Sequence, residues 1–567
     1  MLAALLAPLA AHAQDEGGPV LLGGFARGIA AQAAPTPKGG PRLLVALLFD
    51  QYRDDLLDRF RPAFGPDGFV RLEREGARFS DCTIPYAATV TGPGHATWLS
   101  GAPPSVHGIV GNGWYDAVER REVGCADDRL TSAVSMHGGE KDESSSPRWM
   151  RAQTVADVLR LTTRGTGRVV AMSDKARGAV LPAGRKPNGA YWVDDRNGLM
   201  ETSRYYMDEL PAWAVAADSA RALAIERARG SAWTPRATLP AGALAGVLVV
   251  DPDDTFPHPF AAPGEKVTGR AVDFAHHPLS MTSMFEFAKA AVEGEGLGAD
   301  DAPDLLVISI SVTDRVGHAF GPESSEALDL ASRADSALGA FLTYLDKRVG
   351  KGRYTVTLTA DHGVGPTESA ERSFAAAPFD SVGGVREDSL GTWVDRVLGA
   401  PVKGVTGCAL SIATGAITFD AAKLAKLGLD RRQAARIVAD SAYANPWLAA
   451  GYTSDELREG GSDADPIRAR LARGYFPGRC GDVTIVPRVD VIYGASSRRG
   501  VASHGSPYRY DRHVPFLMSG FGVRPGTYAE PISTLDIAPT VSAVLGIEAP
   551  AQSEGRVLDE ALTRSRP

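Results

Sequence analysis

The 567-residue chain lacks several features that would assign it to other classes of protein. It has no run of roughly 18 or more apolar residues, so no transmembrane helix is expected. It has no basic excess: 60 Lys and Arg against 68 Asp and Glu give a net charge of −8, which argues against a nucleic-acid-binding surface. No internal repeat is evident. With 44% apolar and 23% charged residues, the composition is typical of globular proteins.

Cysteine is also scarce, and the spacing of the cysteines does not indicate a metal site. The chain has Cys82, Cys125, Cys408 and Cys480, without the C-x-x-C spacing of a thiolate zinc site or redox pair. In an exported protein an even number of cysteines favours disulfides. Of the three possible pairings we expect nearest neighbours, Cys82–Cys125 and Cys408–Cys480, and the alternative is four buried free thiols.

The N-terminal sequence MLAALLAPLAAHA is similar to the apolar part of a secretory signal. Ala11-His12-Ala13 fits a small-x-small cleavage site before Gln14. The positively charged start of such signals is missing, so Met1 can be an internal methionine, and an unstructured apolar terminus is the alternative. We expect a signal-peptide remnant at 1–13, a loose arm at 14–40, and a periplasmic or secreted protein.

From Pro41 onward, strand-like and helix-like segments alternate. The predicted strands are 42–49, 168–172, 305–311, 354–360 and 515–518. The predicted helices are 54–75 (interrupted by Pro62 and Gly65-Pro66), 95–99, 152–162, 324–347 and 535–545. This alternation predicts an α/β fold with a mainly parallel central sheet flanked by helices.

Two stretches do not follow the alternation. Residues 180–285 are rich in Pro, Trp and Tyr and contain the short strand-like run 245–250, and residues 385–480 contain a helical segment, 431–444, between Gly-rich loops. We interpret both as insertions that form a cap beside the functional face. The segments 41–179, 286–384 and 481–567 would then form one catalytic domain.

Carboxylates follow three of the predicted strands. Asp50, Asp314 and Asp361 come where apolar runs end, and functional groups of open α/β sheets collect at the carboxyl ends of strands. Three histidines are nearby in sequence: His318, four residues after Asp314, His362, adjacent to Asp361, and His504, in a loop of small residues. Individually, Asp50 could cap a helix and each histidine could be structural, but together they predict a composite metal site.

The mixed carboxylate and imidazole donors suit zinc better than magnesium or calcium. With Thr91, which precedes a Gly-Pro-Gly turn, the candidate ligands number seven, more than the four usual at one zinc. Two zinc ions therefore fit better, and two ions about 3.5–4 Å apart are typical of phosphoryl chemistry. The alternative role for Thr91 is that of a helix cap.

The chain resembles the alkaline phosphatase superfamily, and within it the phosphate-insensitive PafA-type alkaline phosphatases with a threonine nucleophile. The resemblance spans roughly Pro41 to Ile547. It rests on these motifs: Phe49-Asp50-Gln51, Thr91-Gly92-Pro93-Gly94-His95, His107 to Tyr115, Lys175-Ala176-Arg177, Asp314 to His318, Ala360-Asp361-His362-Gly363, His504 to Tyr508, and Ile532 to Thr540.

The resemblance implies the role of each site residue. Asp50, Asp361 and His362 would hold one zinc with Thr91 as the reactive ligand, and Asp314, His318 and His504 would hold the other. Asn112, Lys175 and Arg177 would bind the non-bridging oxygens of the substrate. If residues 175–177 are extended, Lys175 and Arg177 lie on the same side, although a solvated basic pair is the ordinary interpretation of K-x-R. His95, His107 and His513 are expected to be structural.

The implied activity is broad-specificity hydrolysis of phosphate monoesters through a phosphothreonine intermediate, with small-molecule phosphate esters as partners. The sequence does not indicate the oligomeric state, and a monomer is our working assumption. One alternative is a phosphodiesterase or nucleotide pyrophosphatase of the same superfamily. A non-catalytic exported protein that binds metal or phosphate is another. A sulfatase is disfavoured, because Cys82-Thr83-Ile84-Pro85 does not match the C-x-P-x-R sequence that formylglycine formation needs.

Overall fold

The computed structural model describes residues 39–136, 144–236, 255–366, 384–385, 387–489, 491–493 and 502–563. The predicted signal remnant 1–13, all but two residues of the predicted arm 14–40, and the predicted strand 245–250 lie outside these ranges. In the described part of the chain, no helix combines the length and the apolar character needed to cross a bilayer.

An eleven-stranded sheet forms the centre of the molecule. In chain order its strands are β1 (Leu43–Phe49), β2 (Gly76–Thr83), β3 (Ala133–Ser135), β4 (Val169–Ser173), β5 (Gly189–Val193), β6 (Met200–Ser203), β7 (Asp304–Ile310), β8 (Tyr354–Thr359), β9 (His513–Gly520), β10 (Gly526–Tyr528) and β11 (Ile532–Ser533). Their order across the sheet is β10-β2-β9-β8-β1-β7-β4-β5-β6-β3, with β11 paired to β2. The central strands β8, β1, β7, β4 and β5 are parallel, so the predicted fold class is confirmed.

The burial of the central strands is typical of a parallel arrangement. Every side chain of β1 and of β7 is buried, as expected for strands covered by helices on both faces. The register pairs Phe49 with Ile310, Leu48 with Thr359, and Ser309 with Ser173. Four neighbouring strands therefore end at the same level, and the residues that follow them are brought together.

Helices cover the sheet in two groups. One group is α1 (Thr91–Ser100), α2 (Ala176–Ala183), Val155–Thr162 and Ile537–Leu545, and the other is Phe69–Glu75, Ala212–Ala228, Pro278–Gly294 and Ser325–Leu345. A further helix, α3 (Val312–Phe320), packs beside Ser325–Leu345. The predicted helical region 54–75 is divided at its prolines into Asp55–Arg59, a 3-10 turn at Arg61–Ala63, and Phe69–Glu75.

The first predicted insertion, 180–285, begins too early. Strands β5 and β6 fall within it but belong to the central sheet, where β5 pairs with β4 and β6 with β5. All residues of both strands are buried, which the aromatic-rich composition did not indicate. Only later residues form a separate three-stranded sheet, from Ala232–Trp233, His258–Ala261 and Val272–Asp273.

The second predicted insertion folds around its own sheet, and we refer to residues 387–489 as the insertion module. The four strands, in sheet order, are Ala409–Ala413, Ala416–Phe419, Val483–Pro487 and Leu448–Thr453. Its helices are Glu387–Val397, Ala421–Leu427, Arg431–Ala442, Ser454–Arg458 and Pro466–Gly474. A separate hydrophobic core includes Val394, Phe419 and Val438. The strand Val483–Pro487 shows that the module continues past the predicted boundary at 480.

The predicted disulfides are wrong in this structure, in which all four cysteines are free thiols. Cys82 belongs to the core of the central sheet, whereas Cys125 packs in a separate cluster with Trp114 and Trp149. Cys408 lies in the core of the insertion module, and Cys480 packs against a different cluster. Each expected pair is thus divided between two hydrophobic clusters, which sequence spacing does not reveal.

Candidate active site

Four neighbouring parallel strands deliver charged side chains to one edge of the sheet. Asp361 follows β8, Asp50 follows β1, Asp314 lies in α3 after β7, and Lys175 follows β4. Because these strands end at the same level, residues more than 300 positions apart in sequence meet. The three carboxylates that follow predicted strands are therefore brought to the same edge of the sheet.

Asp50, Asp361 and His362 form the first candidate metal-binding group, with one ligand atom of each within 4.8 Å of the others. Nε2 of His362 lies 3.5 Å from Oδ1 of Asp50 and 3.4 Å from Oδ2 of Asp361. All three side chains are buried. The arrangement therefore presents three inward-facing donor atoms in a region from which water is largely excluded.

Asp314, His318 and His504 form the second group. Asp314 and His318 are one turn apart in α3, and His504 comes from a loop that precedes β9. Oδ1 of Asp314 lies 3.2 Å from Nε2 of His318 and 3.5 Å from Nε2 of His504. The ring of His504 stacks on that of His362, with centroids 3.6 Å apart, so the two groups are adjacent.

Backbone carbonyl groups orient the three histidines. Nδ1 of His318 is 2.9 Å from the carbonyl of Ala502, Nδ1 of His362 is 2.9 Å from that of Gly363, and Nδ1 of His504 is 2.8 Å from that of Thr89. A carbonyl oxygen can only accept, so each Nδ1 carries a proton, and in the neutral ring Nε2 is the nitrogen that offers a lone pair to the site. This arrangement is typical of metal-binding histidines.

The residues present fit cations. Oδ1 of Asp50, Oδ2 of Asp361 and Nε2 of His362 are buried and have no hydrogen-bond partner among the described residues. In the other group, Nε2 of His318 and Nε2 of His504 are 3.2 Å apart, and both lie within 3.5 Å of Oδ1 of Asp314. Buried acceptors without donors are costly, and a metal ion in each group would satisfy them.

Charges in the site shift one another's pKa values. Burial, together with Asp314 and Asp361, raises the pKa of Asp50. Although burial opposes it, the Lys175 ammonium holds the pKa of Asp314 well below its usual range. Burial also lowers the pKa of His362 well below its ordinary value. His362 is therefore neutral at physiological pH, the form that can bind a metal ion.

Thr91 is the first residue of α1 and does not act as its cap. The cap position is Val90, and no side chain caps this helix. The Gly-Pro-Gly sequence forms the first turn, where proline removes no helical hydrogen bond. A Cβ at Gly94 would lie 2.4 Å from the carbonyl oxygen of Asp361, so glycine allows the start of α1 to pack directly against the first group.

Asn112 and Lys175 each have defined hydrogen-bond partners. Oδ1 of Asn112 accepts a hydrogen bond from the amide of Gly92 at 2.7 Å, which directs the side-chain NH₂ group elsewhere. Nζ of Lys175 donates to Oδ2 of Asp50 at 2.7 Å and to Oδ2 of Asp314 at 2.6 Å. Lys175 is therefore in contact with one carboxylate from each group.

The assumption that residues 175–177 are extended is wrong. Lys175 has an extended backbone, but α2 begins at Ala176, so Arg177 lies in its first turn. Both side chains nevertheless line one cavity of about 1200 Å³, together with Asp314 and His318. Nε of Arg177 is buried without a hydrogen-bond partner among the described residues, so this guanidinium can still bind an anionic ligand.

Sequence reasoning missed two residues. Gln51 has a positive φ of 63°; its amide nitrogen donates to Oδ1 of Asp361 at 3.1 Å, and its Nε2 donates to Oδ1 of Asp314 at 2.8 Å. It therefore connects the two groups. His95, expected to be structural, has Nδ1 2.9 Å from the carbonyl of Thr91 and 3.2 Å from Oδ2 of Asp361. Both residues stand in motifs that carry the family resemblance, and this was the signal in the sequence that could have identified them.

Comparison with known proteins is consistent with this geometry. The model of the type I phosphodiesterase/nucleotide pyrophosphatase family matches residues 44–507. The alkaline phosphatase PafA of Elizabethkingia meningoseptica is 34% identical over 537 residues, which cover 92% of this chain and 95% of that protein. A crystal structure of wild-type PafA superposes with a TM-score of 0.82 at 32% identity, covering 92% and 99% of the two chains. A PafA variant with substitutions at one threonine, one asparagine, one lysine and one arginine gives 0.80 at 30% identity, with the same coverage.

The chain belongs to the type I phosphodiesterase/nucleotide pyrophosphatase family, within the alkaline phosphatase superfamily. Among its members the chain is similar over nearly its whole length to the alkaline phosphatase PafA. The resemblance that the sequence motifs indicated is thereby confirmed.

Proposed function

We propose that this protein is an alkaline phosphatase that hydrolyses phosphate monoesters to inorganic phosphate and an alcohol through a phosphothreonine on Thr91. The observation that carries the proposal is the pair of adjacent ligand groups at the strand ends, next to the first turn of α1. Similarity to PafA over 92% of the chain supports the same activity.

Two zinc ions are the proposed cofactors, because carboxylate and imidazole donors are mixed in both groups. Asp50, Asp361, His362 and Thr91 would hold one ion, and Asp314, His318 and His504 the other. Bound there, the ions would supply positive charge that activates a hydroxyl group and stabilises the oxygens of a phosphoryl group.

The chain's own residues would carry out a two-step transfer. The Thr91 hydroxyl oxygen forms a bond to phosphorus as the bond to the departing alcohol breaks, and water then cleaves the phosphothreonine. Thr91 begins a helix, whose N-terminus favours the negative charge that the step needs. The NH₂ group of Asn112 would donate to a non-bridging oxygen, because Gly92 already holds its carbonyl oxygen.

The PafA variant supports the same four residues. Its substituted threonine and asparagine are 21 positions apart, as Thr91 and Asn112 are here, and its substituted lysine and arginine are two apart, as are Lys175 and Arg177. Matching residue types at matching spacing support a shared phosphate-binding set.

Preference for monoesters over diesters would come from Lys175 and Arg177. A monoester carries one more negative charge than a diester, and a guanidinium beside an ammonium matches the dianion. The main alternative is a phosphodiesterase or nucleotide pyrophosphatase, which the description of the matching family favours. The remaining alternative is an exported binding protein without turnover.

We further propose export to the periplasm or the cell exterior, supported by the apolar sequence 1–13, and action as a monomer on small-molecule phosphate esters. The substrate test compares an aryl phosphate monoester with the diester of the same leaving group, using zinc-loaded protein. We expect the monoester to have the higher kcat/KM. A higher value for the diester would favour the phosphodiesterase, and no turnover of either would favour the binding protein.

A further inference from the structure

Asn112 lies in a loop whose position is set from outside the catalytic part of the chain. The loop joins the short helix Pro104–His107 to the strand Gly113–Asp116. Asn112 is held by two hydrogen bonds, from the amide of Gly92 to Oδ1 at 2.7 Å and from the amide of Cys125 to its carbonyl at 2.9 Å. The position of the Asn112 side chain therefore depends on the contacts that hold residues 108–113 in place.

Arg479, from the insertion module, contacts both ends of this loop. Its Nη1 donates to the carbonyl of Gly108, at the start of the loop, and to that of Trp149 at 3.0 Å. Its guanidinium also lies over the ring of Trp114, just after the loop, with 4.9 Å between Cζ and the ring centroid. A single side chain thus holds the segment that carries Asn112 from both sides.

The fit between Arg479 and the loop is close. Gly108 has a positive φ of 79°, and a Cβ at this position would lie 2.7 Å from Nη1 of Arg479. The guanidinium also stacks on Trp149, whose ring is 5.4 Å from Cζ, and only 8% of Arg479 is exposed. Burial and the neighbouring Arg151 lower the pKa of Arg479 to about 10, so the side chain remains charged at neutral pH.

The insertion module also contacts the loop that carries His504. The hydroxyl of Tyr508 donates to the carbonyl of Pro487 at 2.7 Å, and a Cβ at Gly505 would lie 3.1 Å from Cγ2 of Thr414. The module is therefore packed against two loops of the candidate site. Of these contacts, those made by Arg479 lie on both sides of Asn112, a proposed phosphate-binding residue.

We infer that Arg479 is a positioning residue for phosphoryl recognition: through it, the insertion module holds the loop 108–113 so that Asn112 can reach a non-bridging oxygen. The inference rests on the proposed function. It makes the module part of the catalytic apparatus, since removing the Arg479 contact would displace Asn112 without altering any candidate metal ligand.

The test is a double-mutant cycle of Arg479→Met with Asn112→Ala, measured on the zinc-loaded, full-length protein with an aryl phosphate monoester. Arg468→Met is the matched control, because Nη2 and Nε of Arg468 donate to the carbonyl of Glu456 within the module itself. We expect Arg479→Met to lower kcat/KM about tenfold, a size typical of coupling between contacting residues. In the Asn112→Ala background the same change should cost less than about twofold.

Two further measurements separate positioning from stability. Zinc content should be equal in all the variants. Arg479→Lys keeps the charge and should recover part of the activity. If Arg479→Met does not fold, Arg479→Lys replaces it in the cycle. Losses that multiply in the double variant, or an equal loss from Arg468→Met, would overturn the inference. Absence of monoester turnover in the parent protein would instead refute the proposed function, so the two failures are distinguishable.

Discussion

Nζ of Lys175, a proposed phosphate-binding residue, lies 2.6 Å from Oδ2 of Asp314, a candidate metal ligand. The same ammonium lies 2.7 Å from Oδ2 of Asp50. Asp50 and Asp314 belong to different ligand groups, so one cation links the two. Besides its proposed role in substrate binding, Lys175 neutralises buried carboxylates that would otherwise repel each other.

The neutralising effect of Lys175 predicts a stability difference that depends on metal. In zinc-stripped protein, Lys175→Met should lower the thermal midpoint by several degrees, since removing one partner of a buried ion pair typically costs about 3–5 kcal/mol. Zinc-loaded protein should lose much less, because bound cations neutralise the same carboxylates.

The stability deficit of zinc-stripped Lys175→Met should also depend on pH. Burial and neighbouring carboxylates already raise the pKa of Asp50, and losing the ammonium raises it further. A raised carboxyl pKa destabilises the fold above that pKa, so the deficit should shrink as the pH falls and Asp50 takes up a proton. Thermal melts across pH 5–9, with the surface variant Lys289→Met as control, measure this. An identical deficit with and without zinc would contradict the interpretation.

Thr91→Ala should abolish turnover while leaving fold and metal content nearly intact, because only the nucleophilic oxygen is lost. Thr91→Ser keeps that oxygen and should retain measurable activity. Steady-state kinetics measure the turnover of both variants, and circular dichroism and elemental analysis serve as controls for the fold and the metal content. Most of the kcat surviving in Thr91→Ala would exclude Thr91 as the nucleophile.

Chelation should inactivate the enzyme, and zinc should restore activity better than magnesium, because each group mixes imidazole with carboxylate donors. The measurement is activity recovery after dialysis against chelator, together with metal analysis of active protein. Active protein that contained no transition metal would refute the two-zinc proposal.

Gln51→Ala should weaken zinc binding about 10- to 100-fold, the range typical of residues that support metal ligands. Its side-chain amide donates to Oδ1 of Asp314, so the substitution releases this carboxylate. Competition with a fluorescent zinc chelator provides the affinities. Unchanged affinity would show that Asp314 is oriented without help from Gln51.

Lys175→Ala and Arg177→Ala should each lower kcat/KM for an aryl phosphate monoester by roughly ten- to a hundred-fold, since one charge-assisted contact contributes about 1.5–3 kcal/mol. Activity on the diester with the same leaving group should fall less, because a diester has one charge fewer to match. Equal losses on the two substrates would mean that the pair supports binding in general, and the phosphodiesterase alternative would gain support.

Local sequence was sufficient to predict the fold class and to select most residues of the candidate site. The apolar run of β1 and the largely apolar β7 predict buried parallel strands, and such strands place the residues that follow them at one edge. Asp314 and His318, four positions apart, meet on one turn of α3. Asp50, Asp361, His362 and His504 could be recognised because each stands in a short motif at a strand end or in a loop of small residues.

Other features were decided only by tertiary packing. Gln51 contacts Asp314 and His95 contacts Asp361, in each case over 200 residues away, and no periodicity indicates such contacts. Arg177 is helical and not extended, because α2 begins directly after Lys175. The cysteines remain apart because each expected pair is divided between separate hydrophobic clusters. The periodicity of a strand or helix indicates which of its faces is buried. It does not indicate which layers pack together, or that the insertion module packs against the candidate site, because those contacts depend on three-dimensional packing.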